Sequence, residues 1–198
     1  MSVGDVLETA YGPVDLAHCA PMIRAEIELL GGADPFASQR ACAPRIRARI
    51  AGLAEEAVRW RPAPGQWSIA EVVAHLVQTE LVYGYRYREI VANPGSPIAG
   101  YDQERWSDAL GEQHEAVDVL LDRLAALKTT NVAFLERTTP DARACWGLHS
   151  ERGPESLAAL IGAIAGHDLL HEHQIDENIR RWEARGAQPG APPAAGDL

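Results

Sequence analysis

Apolar side chains along this chain recur three and four residues apart, and no segment alternates apolar with polar residues over the length of a strand. A helix turns once in about 3.6 residues while a strand changes face at every residue, so the pattern restricts the chain to amphipathic helices packed on one another. A first helix is expected over residues 14–30, with Pro21 near its start or kinking it, and "GGADP" ends it. A second begins around Pro44 and carries Ile46, Ile50, Leu53 and Ala57 before "RWRPAPGQW" breaks it. Ser68 caps a third helix, with Glu71 three residues on as its capping-box partner and Ile69, Val72, Leu76, Tyr83 and Ile90 as its stripe. "ANPGSPIAGYDQ" is too long for a tight hairpin between antiparallel helices. A short helix around Trp106 leads into a long one carrying Val117, Leu120, Leu121, Leu124, Leu127, Phe134 and Leu135. After the break "TTPDARACWGLHSERGP", with Pro154 at the helix's first position, a last helix runs over about 155–183 on the stripe Leu157, Leu160, Ile161, Ile164, Ile175, Ile179 and Trp182.

The expected fold class is all-α: a four-helix bundle with a long crossover connection and an N-terminal helical addition. The addition covers residues 1–40 and packs on the bundle, the bundle covers 41–184, and the Pro/Gly/Ala-rich residues 185–198 form a flexible tail. Eighteen basic against 28 acidic residues leave a net charge of −10, which argues against nucleic acid and anionic membrane surfaces as partners. The longest apolar run, "LAALIGAIAG", is too short to span a bilayer. "MSVGDVLETAYG" has no basic or apolar region of an export signal, and Cys19, Cys42 and Cys145 are odd in number and far apart. A cytoplasmic protein with free thiols is expected.

The chemistry concentrates in "GHDLLHEH", residues 166–173. His167 follows Ile164 by three residues and His171 precedes Ile175 by four, so both continue the buried stripe. Spaced four apart, their Cβ atoms lie roughly 6 Å from each other. His173 is two residues on and faces elsewhere. Buried imidazoles need partners, and either a hydrogen-bond network or a shared divalent cation would supply them. His75, in "VVAHLVQTE", lies on the flank of the third helix's stripe, beside Val72 and Thr79. If that helix packs against the last, three imidazoles converge in the bundle interior. The other histidines fit less well: His18 lies in the N-terminal addition, His114 in a polar stretch, and His149 in a loop where a structural or pocket-lining place is expected.

"RPAPGQWSIAEVVAHLVQTE", "DQERW" and "GHDLLHEHQI" resemble the DinB-like proteins over about residues 40–183. The resemblance rests on W-S-x-x-E-x-x-x-H at the helix start, D-Q-x-x-W after the crossover and H-D-x-x-H near the end, in that order. It implies a four-helix bundle related to bacillithiol transferases and mycothiol-dependent maleylpyruvate isomerases. Its metal triad maps onto His75, His167 and His171, the three already chosen by helix face.

Three neutral imidazoles leave a Zn²⁺ with one open position and would equally suit six-coordinate Ni²⁺. Such an ion would acidify a small thiol for attack on an electrophile, or a water for hydrolysis. The resemblance implies, as the expected function, metal-dependent transfer of a low-molecular-weight thiol to an electrophilic small molecule, in stress or detoxification, with a metal-hydroxide hydrolase or a non-catalytic metal-binding protein as alternatives. Thr79 is expected near the open metal position. Glu80 is expected in an ion pair, and Asp168 and Glu172 in solvent or paired with arginines. Trp60, Trp67, Trp106, Trp146, Trp182 and Tyr101 are expected at bundle ends. The resemblance also implies a homodimer, and Val73, Val77 and Val82, off the main stripe, suggest a partner surface.

Overall fold

The computed structural model describes residues 6–186. In chain order its elements are β1 (Val6–Thr9), β2 (Gly12–Asp15), α1 (Pro21–Leu30), α2 (Pro35–Ile50), α3 (Glu55–Arg59), α4 (Ile69–Ala92), β3 (Pro97–Ile98), α5 (Gln103–Leu110), α6 (Val117–Glu136), α7 (Pro140–Ala144), β4 (Trp146–His149), β5 (Gly153–Ser156) and α8 (Leu157–Gly186). The bundle is α2, α4, α6 and α8: both α2 and α4 pack on α6 and on α8, closing a ring. The α4–β3–α5 stretch is the long crossover.

The starts of the long helices follow from their caps. Ser68 accepts from the Glu71 N–H at 3.3 Å while Glu71 Oε2 accepts from the Ser68 N–H at 2.8 Å, the reciprocal box expected for α4. Arg61 forms a two-bond ion pair with the same carboxylate. Burial would raise the pKa of Glu71, but Arg61 and Ser68 outweigh it and hold the carboxyl below its usual range. α2 starts nine residues earlier than the expected Pro44, because Asp34 caps it and Pro35 takes its first position. Pro44 lies inside that helix, where it forfeits one bond; burial of Gln39, Cys42, Ala43 and Ile46 against the bundle holds the helix through it. α8 starts at Leu157, capped by Ser156 Oγ accepting from the Ala159 N–H at 3.1 Å. Pro154 therefore sits in β5, not at a helix start.

Two small sheets decorate the helices. β1 and β2 form an antiparallel hairpin whose last two residues, Val14 and Asp15, were expected to begin the first helix; that helix starts instead at Pro21, its first position. β3 pairs parallel with β4, and β4 antiparallel with β5, which ties the crossover to the loop before α8. Strands of two to four residues are too short for alternation to appear in the sequence. Tail residues 187–198 lie outside the described residues.

The apolar core falls into two clusters. One joins α1, the start of α8 and the end of α4 through Ile23, Ile27, Tyr87, Leu160 and Ile164. The other joins α2, the start of α4, α6 and the second half of α8 through Ile46, Val72, Leu76, Leu121 and Ile175. Between them each helix turns polar while staying inside: Gln78, Thr79 and Glu80 on α4, Lys128 and Asn131 on α6, Asp168, His171 and Glu172 on α8. A polar layer thus crosses the bundle. Val73 and Val77 are fully buried in the chain's own second cluster, so they offer nothing to a partner; only Val82 of the three is partly exposed.

α1 crosses α8 at the edge of this layer. A Cβ on Gly166 would lie 1.8 Å from the Glu26 carbonyl oxygen, and one on Gly162 would lie 2.5 Å from Tyr11 Oη. One turn apart, these glycines let the N-terminal segment settle against α8 beside His167.

Candidate metal centre

The contact between α4 and α8 brings His75 opposite His167 and His171. His167 Nε2 lies 3.2 Å from His75 Nε2 and 3.1 Å from His171 Nε2. The three candidate ligand atoms all fall within 4.8 Å of one another, in the His/Cys/Asp/Glu grouping of metal-holding geometry found among the described residues. Burial pushes all three imidazoles toward their neutral forms. It carries His75 down to about 3, with His171 adding. It holds His167 well below its ordinary value, and it lowers His171 against the opposing bond from Gln174.

Protons alone cannot satisfy this group. His171 Nδ1–H donates to Gln174 Oε1 at 2.8 Å, so neutral His171 presents a lone pair at Nε2. His167 Nε2 has a single in-plane site, a proton or a lone pair, so whichever tautomers His75 and His167 adopt it can complete only one of its two Nε2 contacts and the other is left unsatisfied. A divalent cation accepts all three lone pairs, so the residues fit a metal. The set contains no carboxylate or thiolate, which would preserve the ion's full charge.

Thr79, one turn after His75, places Oγ1 3.4 Å from His75 Nε2 and 2.9 Å from Tyr101 Oη. Trp67 covers the other side, its ring 4.8 Å from that of His75 and stacked at 6.4 Å on His171. It walls the site, whereas a bundle-end plug was expected. Two cavities reach the triad. One, of about 220 Å³, touches His75, His167 and Thr79; the other, of about 410 Å³, touches His171, Gln174 and Trp67. Gln103 of the "DQERW" segment lines both.

The remaining polar layer pairs with itself. Lys128 Nζ donates to Glu80 Oε1 at 2.7 Å and to Asp168 Oδ2 at 2.7 Å, and Asn131 Nδ2 donates to Glu80 Oε2 at 2.8 Å. Burial would lower the Lys128 pKa, but the Asp168 and Glu80 carboxylates outweigh it and hold the ammonium charged. Glu80 is thus in an interhelical ion pair, as expected. Glu172 pairs with Arg45 and Arg49, also as expected, but Asp168 is neither solvated nor paired with an arginine. None of these carboxylates supports an imidazole: His75 Nδ1 and His167 Nδ1 are buried without a partner.

The other histidines stand apart. His173 is exposed, His114 is exposed, and His18 pairs with Asp15 outside the bundle. His149 is buried and lines the smaller cavity. Trp60 and Trp182 pack edge to face on each other at 5.6 Å, and Trp146 is largely exposed. The sequence reading missed Glu26, Arg86 and Arg152, which line the smaller cavity, and Gln174, which orients His171. Each of the first two had a signal: Glu26 interrupts the stripe Ile23, Ile27, Leu30, and Arg86 falls between Tyr83 and Ile90 on the stripe of α4.

Fold and site define a four-helix bundle with an interior histidine triad of metal-binding geometry. The chain belongs to the DinB superfamily, whose family model matches residues 40–175. It is 30% identical over 111 residues to a protein of Bacillus mycoides (strain KBAB4) whose name proposes a metal-dependent hydrolase; the match covers 56% of this chain and 64% of that protein, just under two thirds of its length. It is 29% identical over 117 residues to a similarly named protein of Bacillus cereus (strain 03BB102), over 59% of this chain and 67% of that one. The fold is similar to that of YfiT from Bacillus subtilis, described as a proposed metal-dependent hydrolase with an unusual four-helix bundle topology: TM-score 0.71 at 18% identity, covering 75% of this chain and 86% of that one. No helix among the described residues is long and apolar enough to cross a membrane.

Proposed function

We propose that the protein is a metal-dependent enzyme in which His75, His167 and His171 hold one divalent ion, zinc or nickel, and that it transfers a low-molecular-weight thiol to an electrophilic small molecule. A bound ion would supply a net +2 charge at open coordination positions, enough to acidify a thiol or a water there. The observation that carries the transferase assignment is the pair of cavities, of about 220 and 410 Å³, one touching His75 and His167 and the other His171. Two organic reactants that must meet at one centre need two approaches, whereas hydrolysis needs one approach and water.

The chain's own groups suit that chemistry. Thr79 Oγ1, within hydrogen-bond distance of Tyr101 Oη, stands next to the ligand nitrogen of His75 and can hydrogen-bond a group brought to the reacting atom. Trp67 excludes water from the face it covers and fixes two of the three imidazoles by packing. The names of the relatives favour a second reading, hydrolysis by a metal-activated water.

The test is a turnover screen on protein stripped with chelator and reloaded with Zn²⁺ or Ni²⁺. Small thiols with an electrophile such as 1-chloro-2,4-dinitrobenzene are one arm; amides and esters are the other. Metal-dependent consumption of thiol that is lost in His167→Ala supports transfer. Metal-dependent hydrolysis without thiol consumption supports the second reading, and turnover in neither arm rejects both.

A further inference from the structure

The smaller cavity holds two buried ionisable side chains, Arg86 and Glu26, that the protein itself leaves unsatisfied. Arg86 is 2% exposed, and among the described residues no carboxylate lies within ion-pair distance of it. Its Nη2 donates to the Ala99 carbonyl at 2.7 Å, its Nε has no partner, and its guanidinium lies 5.0 Å from the centre of the Tyr83 ring. The His149 ring beside it makes matters worse. His149 Nδ1 accepts from the backbone N–H groups of Glu151 and Arg152 at 3.1 and 3.3 Å, so in neutral His149 the proton sits on Nε2. That Nε2–H faces Arg86 Nη2 at 3.3 Å: donor meets donor, and an acceptor is missing. Burial lowers the pKa of His149, with the nearby Arg152 charge adding, which keeps the ring neutral.

Glu26 is the second such group. It is 5% exposed, its Oε2 has no partner, and it projects from α1 into the same cavity. The cavity's other arginine, Arg152, is bound to Glu155 through two bonds of 2.5 and 3.1 Å and offsets the burial of Glu26 only in part. Burial, opposed by Arg152, pushes the Glu26 carboxyl up to about 8. The position is built rather than accidental, since Gly166 admits the Glu26 backbone against α8 one residue from His167. Residue 26 also lies outside the stretch 40–175 that the superfamily accounts for.

A small molecule with a carboxylate and an ammonium would complete both ends, and the cavity that would hold it touches His75 and His167. Resting on the metal-site assignment above, we propose that this cavity takes a zwitterionic, amino-acid-like ligand whose carboxylate accepts from both Arg86 and His149 and whose ammonium is held by Glu26. The N-terminal segment then sets ligand choice through Glu26, and the triad receives the part of the ligand that reacts.

Three probes that share a sulfur and differ only in charged groups isolate the effect: L-cysteine, cysteamine (no carboxylate) and 3-mercaptopropionate (no amine). Their dissociation constants are measured calorimetrically on the metal-loaded protein under reducing conditions. Each charge-assisted contact predicts that cysteine binds about tenfold tighter than either analogue. Glu26→Gln should bring cysteine and 3-mercaptopropionate to equal affinity while preserving the preference over cysteamine. Arg86→Met should do the reverse, and Arg86→Lys should restore part of it. Circular dichroism and metal content confirm that each variant is folded and loaded, and Arg86→Lys serves if Arg86→Met does not fold. Equal affinity for all three probes in the native protein, or ratios unmoved in folded, loaded variants, overturns the proposal. Failure of the metal assignment is distinct: stripping the metal would then change no affinity, while the ratios among the probes would persist.

Discussion

The polar layer of this bundle has two halves that share helices and burial yet behave oppositely. Glu80, Lys128, Asn131 and Asp168 close on one another with bonds of 2.7 to 2.9 Å. His75, His167 and His171, carried by the same α4 and α8, meet at 3.1 and 3.2 Å through nitrogens that protons cannot all satisfy. Asp168 follows His167 directly, and Glu80 follows Thr79, so both halves are fixed by the same helix register. A closed network needs nothing from outside and sets that register. An open one asks for a cation. The difference between structural and functional buried polarity is thus visible as a difference in valence.

The largest break in this comparison should come from the closed half. Lys128→Met would leave Glu80 and Asp168 buried without their cation, and should destabilise the fold by about 3–5 kcal/mol. Chemical denaturation should show this with and without metal alike. The open half should behave otherwise. Saturating metal should stabilise the native protein by about 2.7 kcal/mol at a hundredfold excess over its Kd. His167→Ala should lose that stabilisation and leave the metal-free stability little changed, as paired thermal melts would show.

Acid should separate the halves further. His75 binds its proton only near pH 3 when folded, and the other two imidazoles are also lowered. In the unfolded chain each has a pKa of about 6.5. Between those values the unfolded state holds more protons, so stability falls as pH drops below about 6.5, by up to about 1.4 kcal/mol per unit for each group. Bound metal should move the loss to lower pH, because protons must then displace the ion. Glu26 acts with the opposite sign. Raised to about 8 from the ordinary 4.5, it costs stability as pH rises between those values, and Glu26→Gln should flatten the alkaline side of the pH–stability curve.

Most of the bundle was legible because its stripes are long. Leu157, Leu160, Ile161 and Ile164 or Ile69, Val72 and Leu76 can be buried together only on a helix, and all are buried. The triad was legible for the same reason, since His167 and His171 extend such a stripe and His75 flanks one. The hairpin Val6–Asp15 and the β3–β4–β5 sheet were not, because strands of two to four residues leave no period to read. Pro44 and Pro154 misled as helix starts because proline marks a permissible start without requiring one, and Asp34 and Ser156 were the real caps. Glu26, Arg86 and Lys128 share one feature that did stand in the sequence: each is a charge on an otherwise apolar stripe. What no pattern disclosed was the third dimension, namely which of those charges would find each other and which would be left facing a cavity.

The smallest effects sharpen the open half alone. Gln174→Leu removes the acceptor that orients His171 and should weaken metal binding roughly tenfold without loss of fold. His173 is exposed on the far side of α8, and His173→Ala should change neither metal binding nor stability by more than about 0.5 kcal/mol.

The central claim is that the triad is an open cation site, and metal stoichiometry tests it most directly. Protein stripped with chelator, reloaded with Zn²⁺ or Ni²⁺, desalted and measured by elemental mass spectrometry should carry one ion per chain. The variant with His75, His167 and His171 all changed to alanine should carry none while keeping its helical spectrum. One ion per chain retained by that variant, or none bound by the native protein, would contradict the account.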